Sequence, residues 1–344
     1  MLSAIYVERE VRNHPRTQAV LKRYPKVSVI ECERYGEIFN RRSQNFRLQK
    51  KKPALILARK HEKMVLPAPD AYGLGGDRNY YFSHMLNCVY DCRYCFLQGM
   101  YRSANYVLFI NYEDFYQDIR QTVSDNPHQT CYFYSGYDCD SLAMEPMTGF
   151  VESALPVFKA LPQAYLELRT KSTQIRSLLE QQPLPNVVVA FSLSPELVIK
   201  NLEHRTPGLD RRLEAIARLG QAGWPIGLRF DPIVYYKNYQ ENYNQFFEKV
   251  FSVVEPDFLH SVSLGAFRLP EVFFNNMVRL YPEEKLFAGP LEKRENMMSY
   301  QTELEAELMA FCQQEILRSI PDERFFPCRI STERQDLKQV PVQI

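Results

Sequence analysis

Residues 88–95 have the sequence Cys88-Val-Tyr-Asp-Cys92-Arg-Tyr-Cys95, which places three cysteines within one short segment. Thiolates bind soft metal centres such as zinc ions and iron–sulfur clusters. Three protein ligands leave one coordination position open for a substrate or a cofactor, as in catalytic zinc sites. The chain has 8 cysteines in 344 residues, which is too few for a disulfide-stabilised scaffold. The spacing therefore predicts a catalytic metal centre held by Cys88, Cys92 and Cys95.

An alternative is a closed structural zinc site, in which His84 or Cys131 would supply the fourth ligand. Structural zinc sites commonly use paired ligands, such as two C-x2-C units. The motif contains one such pair, formed by Cys92 and Cys95. The spacing consequently favours a [4Fe–4S] cluster over zinc.

Six apolar runs follow one another between residues 79 and 264, and stretches with a helical pattern lie between them. Residues 111–123, for example, begin with a capping residue and acidic side chains, and residues 209–222 end at Gly223. This alternation predicts an α/β fold with a parallel sheet, and six units fit an incomplete (β/α)6 barrel. The ligand of such a fold lies at the carboxyl ends of the strands. The six runs cover residues 79–85, 130–134, 164–168, 187–193, 225–230 and 259–264.

The charge of the chain is unevenly distributed. Residues 1–63 contain 16 Lys or Arg and 6 Asp or Glu, a net charge of +10, whereas the whole chain has a net charge of +1. Residues 64–344 therefore carry a net charge of −9. With 45% hydrophobic and 24% charged residues, the composition excludes the disordered and fibrous classes. The sequence lacks a signal peptide and an apolar run of about 18 residues, so we expect a cytoplasmic protein without a membrane span.

These observations predict three parts of the chain. A basic N-terminal α/β extension covers residues 1–78 and contains two short apolar runs, at residues 27–31 and 54–58. The partial barrel covers residues 79–281. A C-terminal segment over residues 282–344 contains a polar loop, a helix at residues 303–317 and a tail.

The cysteine motif resembles that of the radical S-adenosylmethionine (SAM) enzymes, and the aromatic residues Tyr94 and Phe96 beside the last cysteine strengthen the resemblance. The resemblance implies a partial barrel whose cysteines hold a [4Fe–4S] cluster, with SAM bound to the open iron. It further implies that an electron from the cluster cleaves SAM to a 5′-deoxyadenosyl radical, which abstracts a hydrogen atom from the substrate. A flavodoxin- or ferredoxin-type protein would supply the electron, and Tyr94 and Phe96 would lie beside the cofactor.

Longer segments resemble the spore photoproduct lyase family, whose members cleave a methylene-bridged thymine dimer in DNA back to two thymines. This resemblance extends over roughly residues 20–320. It implies that the chain repairs a thymine photoproduct in DNA by hydrogen abstraction and C–C cleavage. The segments that carry it are Tyr90-Asp-Cys-Arg-Tyr-Cys-Phe-Leu-Gln98, Asn105-Tyr-Val, Asn111-Tyr-Glu-Asp, Thr170-Lys171, Phe191-Ser192-Leu193, Val198-Ile-Lys-Asn201, Leu209-Asp-Arg-Arg212 and Gln221-Ala-Gly-Trp-Pro-Ile-Gly227.

The family resemblance also implies residues that bind SAM. Lys171 and Ser192 follow the third and fourth predicted strands, where an ammonium and a hydroxyl can contact the SAM carboxylate. Asp140 would receive the methionyl ammonium or the ribose hydroxyls, and Arg229 would line the cofactor pocket. Two alternatives remain, in which Asp140 only forms a turn and Arg229 only pairs with Asp231.

The chain departs from the family at the residues that pass hydrogen atoms. In the family, a cysteine after the second strand returns a hydrogen atom to the product radical, and tyrosines near the cluster relay the radical. Here Tyr137 stands at the position of that cysteine, and Cys139 lies two residues later. Phe96 replaces one relay tyrosine, and Tyr94 is the motif aromatic that retains a hydroxyl group. The hydrogen donor is therefore Cys139 or Tyr137, or the reaction ends differently.

Two segments are candidates for contact with DNA. The first is the basic stretch that contains Lys50, Lys51 and Lys52, because lysines on phosphates dominate DNA affinity. The second is the polar loop over residues 282–300, where the family has a hairpin that wedges into DNA and where the nearest counterparts are Lys293, Arg294 and Tyr300. The alternative is that both segments are ordinary solvated surface. A base lesion must leave the helical stack to reach a barrel pocket.

Three functions remain open at this point. The first is repair of a thymine photoproduct in DNA, by an enzyme that we expect to be monomeric. The second is a radical SAM enzyme of the same ancestry that acts on another nucleic acid or on a nucleoside. The third is a non-catalytic iron–sulfur or zinc protein that binds DNA as a sensor.

Overall fold

A computed structural model describes residues 2–69 and 73–328 of the chain. Its β-strands, in chain order, are β1 Ile5–Glu8, β2 Val29–Cys32, β3 Leu55–Ala58, β4 Leu66–Pro67, β5 Arg78–Tyr81, β6 Met85–Leu86, β7 Asp91–Cys92, β8 Tyr106–Phe109, β9 Cys131–Tyr134, β10 Ala164–Thr170, β11 Val187–Ser192, β12 Glu203–His204, β13 Ile226–Ile233, β14 Leu259–Ala266, β15 Arg268–Pro270, β16 Leu291–Arg294, β17 Met297–Tyr300 and β18 Phe325–Pro327. The α-helices are α1 Pro15–Arg23, α2 Gly36–Phe39, α3 Phe46–Lys51, α4 Leu97–Met100, α5 Tyr112–Ser124, α6 Glu145–Thr148, α7 Phe150–Lys159, α8 Arg176–Leu179, α9 Glu196–Leu202, α10 Leu209–Gln221, α11 Tyr239–Phe251, α12 Glu271–Leu280 and α13 Thr302–Leu317. Short 3-10 helices cover Arg9–Val11, Pro256–Phe258, Lys285–Ala288 and Asp322–Arg324.

The largest sheet has eight strands in the order β18-β14-β13-β11-β10-β9-β5-β4 and curls into a partial barrel. All neighbouring strands in it are parallel except β4 and β5. Strands β5, β9, β10, β11, β13 and β14 coincide with the six predicted apolar runs, so the predicted partial (β/α)6 barrel is confirmed. Strand β11 is buried along its whole length, as its run of apolar residues requires in a sheet covered on both faces.

The helices that connect these strands have one apolar face. In α10 the buried residues Leu209, Leu213 and Ile216 recur at intervals of three and four, and they face the sheet. Gly223 follows that helix with a φ of 92°, a left-handed conformation that glycine adopts without a steric penalty. None of the helices within the described residues is both long and apolar enough to cross a membrane.

A second sheet contains β2-β1-β3-β8-β6, and its first four strands are parallel. The two sheets exchange segments of the chain: β4 joins the barrel, whereas β6 and β8 join the N-terminal sheet. At the other end, β18 extends the barrel sheet beside β14. The predicted divisions at residues 78 and 281 therefore do not coincide with breaks in the hydrogen-bonded sheets.

The segment with the three cysteines connects β6 to β8, two strands of the N-terminal sheet, and contains β7. Strand β7 pairs antiparallel with β12, and the Arg93 amide donates to the Leu202 carbonyl at 2.7 Å. Helix α4 follows Cys95 and approaches α12 so closely that a Cβ atom on Gly99 would lie 2.3 Å from the Phe273 carbonyl oxygen. Packing of α4 on α12 therefore requires glycine at this position and fixes the end of the cysteine segment.

Candidate active site

A cavity of about 950 Å³ opens at the carboxyl ends of the barrel strands, the position predicted for the ligand. This volume lies at the upper end of the range of about 300–1,000 Å³ that is usual for ligand pockets. Most of the predicted site residues contribute to its wall. These are Lys50, Cys88, Cys92, Tyr94, Cys95, Phe96, Tyr137, Cys139, Asp140, Lys171, Ser192, Arg229 and Arg294.

The three cysteines face this cavity from one loop and fit a cluster better than a single ion. Burial raises the pKa of all three thiols, that of Cys88 to about 12. Two sulfurs bound to one zinc at about 2.3 Å cannot be more than about 4.6 Å apart. The three sulfur atoms do not all lie within 4.8 Å of one another, as one shared zinc would require, whereas a cluster offers each cysteine a separate iron.

The two residues considered as a fourth zinc ligand lie away from the cysteines' pocket. His84 is buried and its ring stacks on Phe150, with 4.0 Å between the ring centroids. Cys131 is the first residue of β9, at the opposite end of that strand from the cavity. The geometry thus contradicts the closed zinc site.

A buried ion pair between Glu203 and Arg212 lies beside the cysteine loop. Glu203 on β12 lies opposite Cys92 and pairs with Arg212 at 2.5 Å, and both side chains are fully buried. The Tyr94 hydroxyl donates to Glu203. Burial tends to raise the pKa of Glu203, but Arg212 and the hydrogen bonds outweigh it and lower that pKa. Tyr94 is therefore held by a carboxylate, and its ring centroid lies 5.4 Å from the Lys171 ammonium.

Glu203 and Arg212 were not predicted as site residues. Arg212 belongs to one of the segments that resemble the family, but a polar residue on a helix gives no sign of where it will be buried. Only the pairing of β12 with β7 brings both residues behind the cysteine loop.

Asp140 connects two neighbouring loops at the edge of the cavity. Its Oδ1 atom accepts from the Leu142 and Ala143 amides and from the Thr170 hydroxyl, at 2.6–3.0 Å. Its Oδ2 atom accepts from the Lys171 amide at 2.6 Å. The carboxylate thus positions the Lys171 backbone, as well as forming the turn that one prediction assigned to it.

Lys171 and Ser192 occupy the ends of β10 and β11, as the sequence predicts. The Ser192 side chain is buried, and its hydroxyl accepts a long hydrogen bond of 3.4 Å from Arg169. Both residues line the cavity on the side of the cysteines. An ammonium and a hydroxyl at this place can bind a carboxylate.

Arg229 lines the cavity, as the sequence predicts, but its N–H groups have protein partners. Its five N–H groups are all used inside the protein: by both Glu167 oxygens, by the Leu228 carbonyl, and by the carbonyl and hydroxyl of Ser261. The alternative pairing with Asp231 is wrong, because Asp231 contacts Arg169 and Arg268 instead. Arg229 therefore stabilises the barrel floor beneath the cavity.

The candidate hydrogen donors lie together in the loop after β9. The Tyr137 ring packs 4.4 Å from the Tyr81 ring and 5.4 Å from the Phe96 ring. The Cys139 side chain is buried, and its sulfur lies 3.8 Å from the Ser135 carbonyl oxygen. Burial, with the nearby Cys88, raises the pKa of the Cys139 thiol well above its usual value. Cys139 consequently keeps its S–H hydrogen at neutral pH.

Neighbouring contacts make this loop rigid. Asp138 accepts hydrogen bonds from the Ser83 hydroxyl and from the Tyr101 hydroxyl, the latter at 3.0 Å. Asp138 and Asp140 therefore hold the residue between them, Cys139, from two sides.

The predicted DNA contacts divide into exposed and buried residues. Lys51 and Lys52 are exposed, and Lys293 is exposed but pairs with Glu271 at 2.9 Å. Lys50 and Tyr300 are only 5% and 1% exposed, so the prediction that they touch DNA is wrong. Lys50 is instead turned inward against the cysteine loop, and Tyr300 accepts a hydrogen bond from the Tyr235 amide.

The polar loop after the barrel forms the hairpin β16–β17, which pairs with β15. Arg294 on β16 donates to Ser299 and pairs with Glu305 on α13. It therefore braces the hairpin against α13 at the cavity wall and does not project toward solvent as a free phosphate ligand.

Comparisons with known proteins agree with this geometry. The family model described as "Spore photoproduct lyase" matches residues 4–307. The spore photoproduct lyase of Bacillus subtilis (strain 168) is 23% identical over 290 residues, which cover 82% of this chain and 83% of that protein. The enzyme of the same name from Clostridium acetobutylicum is 23% identical over 209 residues, covering 60% of this chain and 62% of the other.

Solved structures have the same fold. A mutant spore photoproduct lyase with bound AdoMet and dinucleoside spore photoproduct superposes with a TM-score of 0.83 at 17% identity, covering 96% of this chain and 99% of that one. A spore photoproduct lyase complexed with dinucleoside spore photoproduct gives a TM-score of 0.82 at 16% identity over the same shares. Because the family model covers most of its length, the chain belongs to the spore photoproduct lyase family.

Proposed function

We propose that this protein is a radical SAM enzyme that repairs a spore-photoproduct-type thymine dimer in DNA. One observation carries the proposal: the three motif cysteines, Lys171 and Ser192 share the wall of one large cavity in a chain of this family. The relative with bound AdoMet and dinucleoside spore photoproduct has the same fold, which supports a common reaction.

The cavity wall fits both cofactors. Cys88, Cys92 and Cys95 would hold the [4Fe–4S] cluster, and the charges of Lys171, Lys50 and Arg169 oppose the effect of burial on the Cys95 thiol and favour its thiolate. Lys171 and Ser192 would bind the SAM carboxylate. Together the cofactors supply a radical that abstracts a hydrogen atom, while the protein orients the reactants and excludes competing reactions.

The substrate would enter from the side of the hairpin. Glu295 and Asn296, at the turn between β16 and β17, line the cavity together with Met309 and Gln313 of α13. A lesion turned out of the DNA stack could occupy this part of the cavity. Exposed Lys51 and Lys52 would contact the phosphates outside it. We also propose that a flavodoxin- or ferredoxin-type protein donates the electron and that the protein is a monomer.

The departure at Tyr137 supports a second candidate, a radical SAM enzyme of the same ancestry with another nucleic-acid or nucleoside substrate. A tyrosine in place of the donor cysteine changes how the product radical is quenched, and a different substrate would explain such a change.

One experiment separates these candidates. The protein is reconstituted anaerobically with iron and sulfide, reduced with dithionite, and supplied with SAM and dinucleoside spore photoproduct. We expect a brown protein that forms 5′-deoxyadenosine and releases thymidine, and a Cys92→Ala control that forms neither. Formation of 5′-deoxyadenosine without thymidine would favour the second candidate, and a colourless protein with tightly bound zinc would refute both.

A further inference from the structure

Lys50 is a buried cation whose ammonium contacts backbone carbonyls of the cysteine loop. Its side chain is 5% exposed, and its ammonium donates to the carbonyls of Cys88 at 2.9 Å and of Tyr90 at 2.8 Å. No carboxylate pairs with it in residues 2–69 and 73–328. Removing an ammonium from water is costly, so buried charges in proteins are normally paired with an opposite charge or a metal centre. Lys50 therefore places a fixed positive charge beside the cysteine loop.

The helix that carries Lys50 is anchored on both sides. The Asn45 side chain caps α3 by accepting from the Leu48 amide at 3.0 Å. The Gln49 side chain accepts from the Ala104 amide at 3.0 Å, and Arg205 donates to the Lys50 carbonyl at 2.8 Å. These contacts fix the backbone of α3, and so they fix the position of the Lys50 ammonium beside the cysteine loop.

We propose that Lys50 is a positioning residue for the iron–sulfur cluster, holding the cysteine loop through two carbonyls and supplying the positive charge that balances the cluster. This inference rests on the proposed function, because it requires a cluster at Cys88, Cys92 and Cys95. A [4Fe–4S]2+ core with three thiolates carries one net negative charge, and its reduced form carries two. A fixed cation beside it stabilises the reduced form more than the oxidised form and raises the reduction potential.

Adjacent lysines offer a matched control. Lys51 follows Lys50 on the same helix but is exposed, so water screens its charge. Lys50→Gln removes the charge and keeps an amide group that can donate hydrogen bonds, whereas Lys50→Met removes both the charge and the donors. Lys50→Arg retains the charge.

The test measures the cluster rather than turnover. Each reconstituted protein is assayed for iron and sulfide per chain, and its midpoint potential is determined by redox titration followed by electron paramagnetic resonance. At a fixed potential we expect about tenfold less reduced cluster in Lys50→Gln than in the wild type, a shift of about 59 mV for a one-electron couple. Lys50→Met should in addition bind less iron, Lys50→Arg should recover most of the potential, and Lys51→Gln should match the wild type.

The midpoint potentials test the role of Lys50 without a DNA substrate. Equal potentials in Lys50→Gln and the wild type would overturn the inference, and so would an equal shift in Lys51→Gln. Should Lys50→Met fail to fold, Lys50→Gln and Lys50→Arg still give the comparison. A Lys50-dependent potential in a protein that releases no thymidine would contradict the repair activity and leave this inference standing.

Discussion

The loop after β9 contains three polar residues whose contacts assign them different roles. The Asp140 carboxylate is occupied by four hydrogen bonds, so it fixes the loop. The Tyr137 ring is packed between Tyr81 and Phe96. The Cys139 thiol is protonated, because burial raises its pKa, and it lines the cavity. Of these side chains, Cys139 is the one best suited to give a hydrogen atom to a substrate radical.

We therefore expect Cys139→Ala to reduce thymidine release by about tenfold or more, while SAM cleavage continues. The alanine leaves the loop contacts of Asp138 and Asp140 in place, so the loss would reflect the missing S–H group. The measurement compares thymidine with 5′-deoxyadenosine in the same reaction, using dinucleoside spore photoproduct.

Cys312→Ala is the control, because Cys312 is fully buried on α13 and does not line the cavity. It should retain the product ratio of the wild type. Unchanged thymidine release in Cys139→Ala, together with its loss in Tyr137→Phe, would assign the donor role to Tyr137 instead.

The role of a single residue could be predicted where it follows from a sequence motif. It could not be predicted where it depends on the neighbours that the fold places around the residue. The three cysteines could be singled out because three thiols in eight residues have few uses other than binding a metal centre, and all three line the cavity. Lys50 could not be told apart from Lys51 and Lys52, since a run of three lysines gives no indication of which one turns inward. The hydrogen bonds of Arg229 could not be predicted, because its partner Glu167 lies 62 residues away on β10, and β11 separates that strand from β13, the strand of Arg229.

At the level of elements, five of the six barrel strands could be predicted because each is a mostly buried apolar run beside a helical stretch, whereas β5 is partly exposed. The first run, over residues 79–85, was predicted as one strand but contributes to two. Strand β5 belongs to the barrel, and β6 belongs to the N-terminal sheet. Apolar residues indicate burial, but they do not indicate which of two sheets buries them. The residues of the hairpin β16–β17 indicate only a polar loop, because half of them have charged or amide side chains, and the family resemblance alone implies a hairpin here.

Helix α6 begins at Glu145, a carboxyl group inside the protein. The side chain is 4% exposed, and it accepts from the Val151 amide at 2.9 Å and from the Thr148 hydroxyl at 3.1 Å. Burial raises the pKa of Glu145 to about 7, despite these hydrogen bonds. Since its pKa in the unfolded chain is about 4.5, its stabilising contribution is complete below pH 4.5 and is lost as the pH rises through 7.

Glu145→Gln removes this titration. We expect the variant to gain about 2 kcal/mol relative to the wild type between pH 5 and pH 8, because the wild type loses stability over that interval. Urea denaturation at a series of pH values measures the difference. A pH-independent difference for Glu145→Gln would contradict the assigned pKa.

At the scale of the whole molecule, the N-terminal segment and the barrel form one connected unit. The two sheets exchange strands across residue 78, and α3 sends Lys50 into the cysteine loop. The excess positive charge of the first 63 residues is therefore held at a fixed place relative to the cavity. Its exposed part includes Lys51, Lys52, Arg41 and Arg42, which lie on or near the same helix.

If this surface holds DNA, its contribution must depend on salt, because each phosphate contact releases a condensed counterion. The logarithm of the binding constant falls with the logarithm of the salt concentration, with a slope of about 0.9 per neutralised phosphate. Replacing both Lys51 and Lys52 by alanine should therefore reduce the magnitude of that slope by about 2. Fluorescence anisotropy with labelled duplex DNA over a range of salt concentrations measures it. Lys159→Ala is the control: Lys159 is exposed on α7, and its replacement should leave the slope unchanged. If the Lys51 and Lys52 double variant also had the slope of the wild type, DNA would bind another face of the protein.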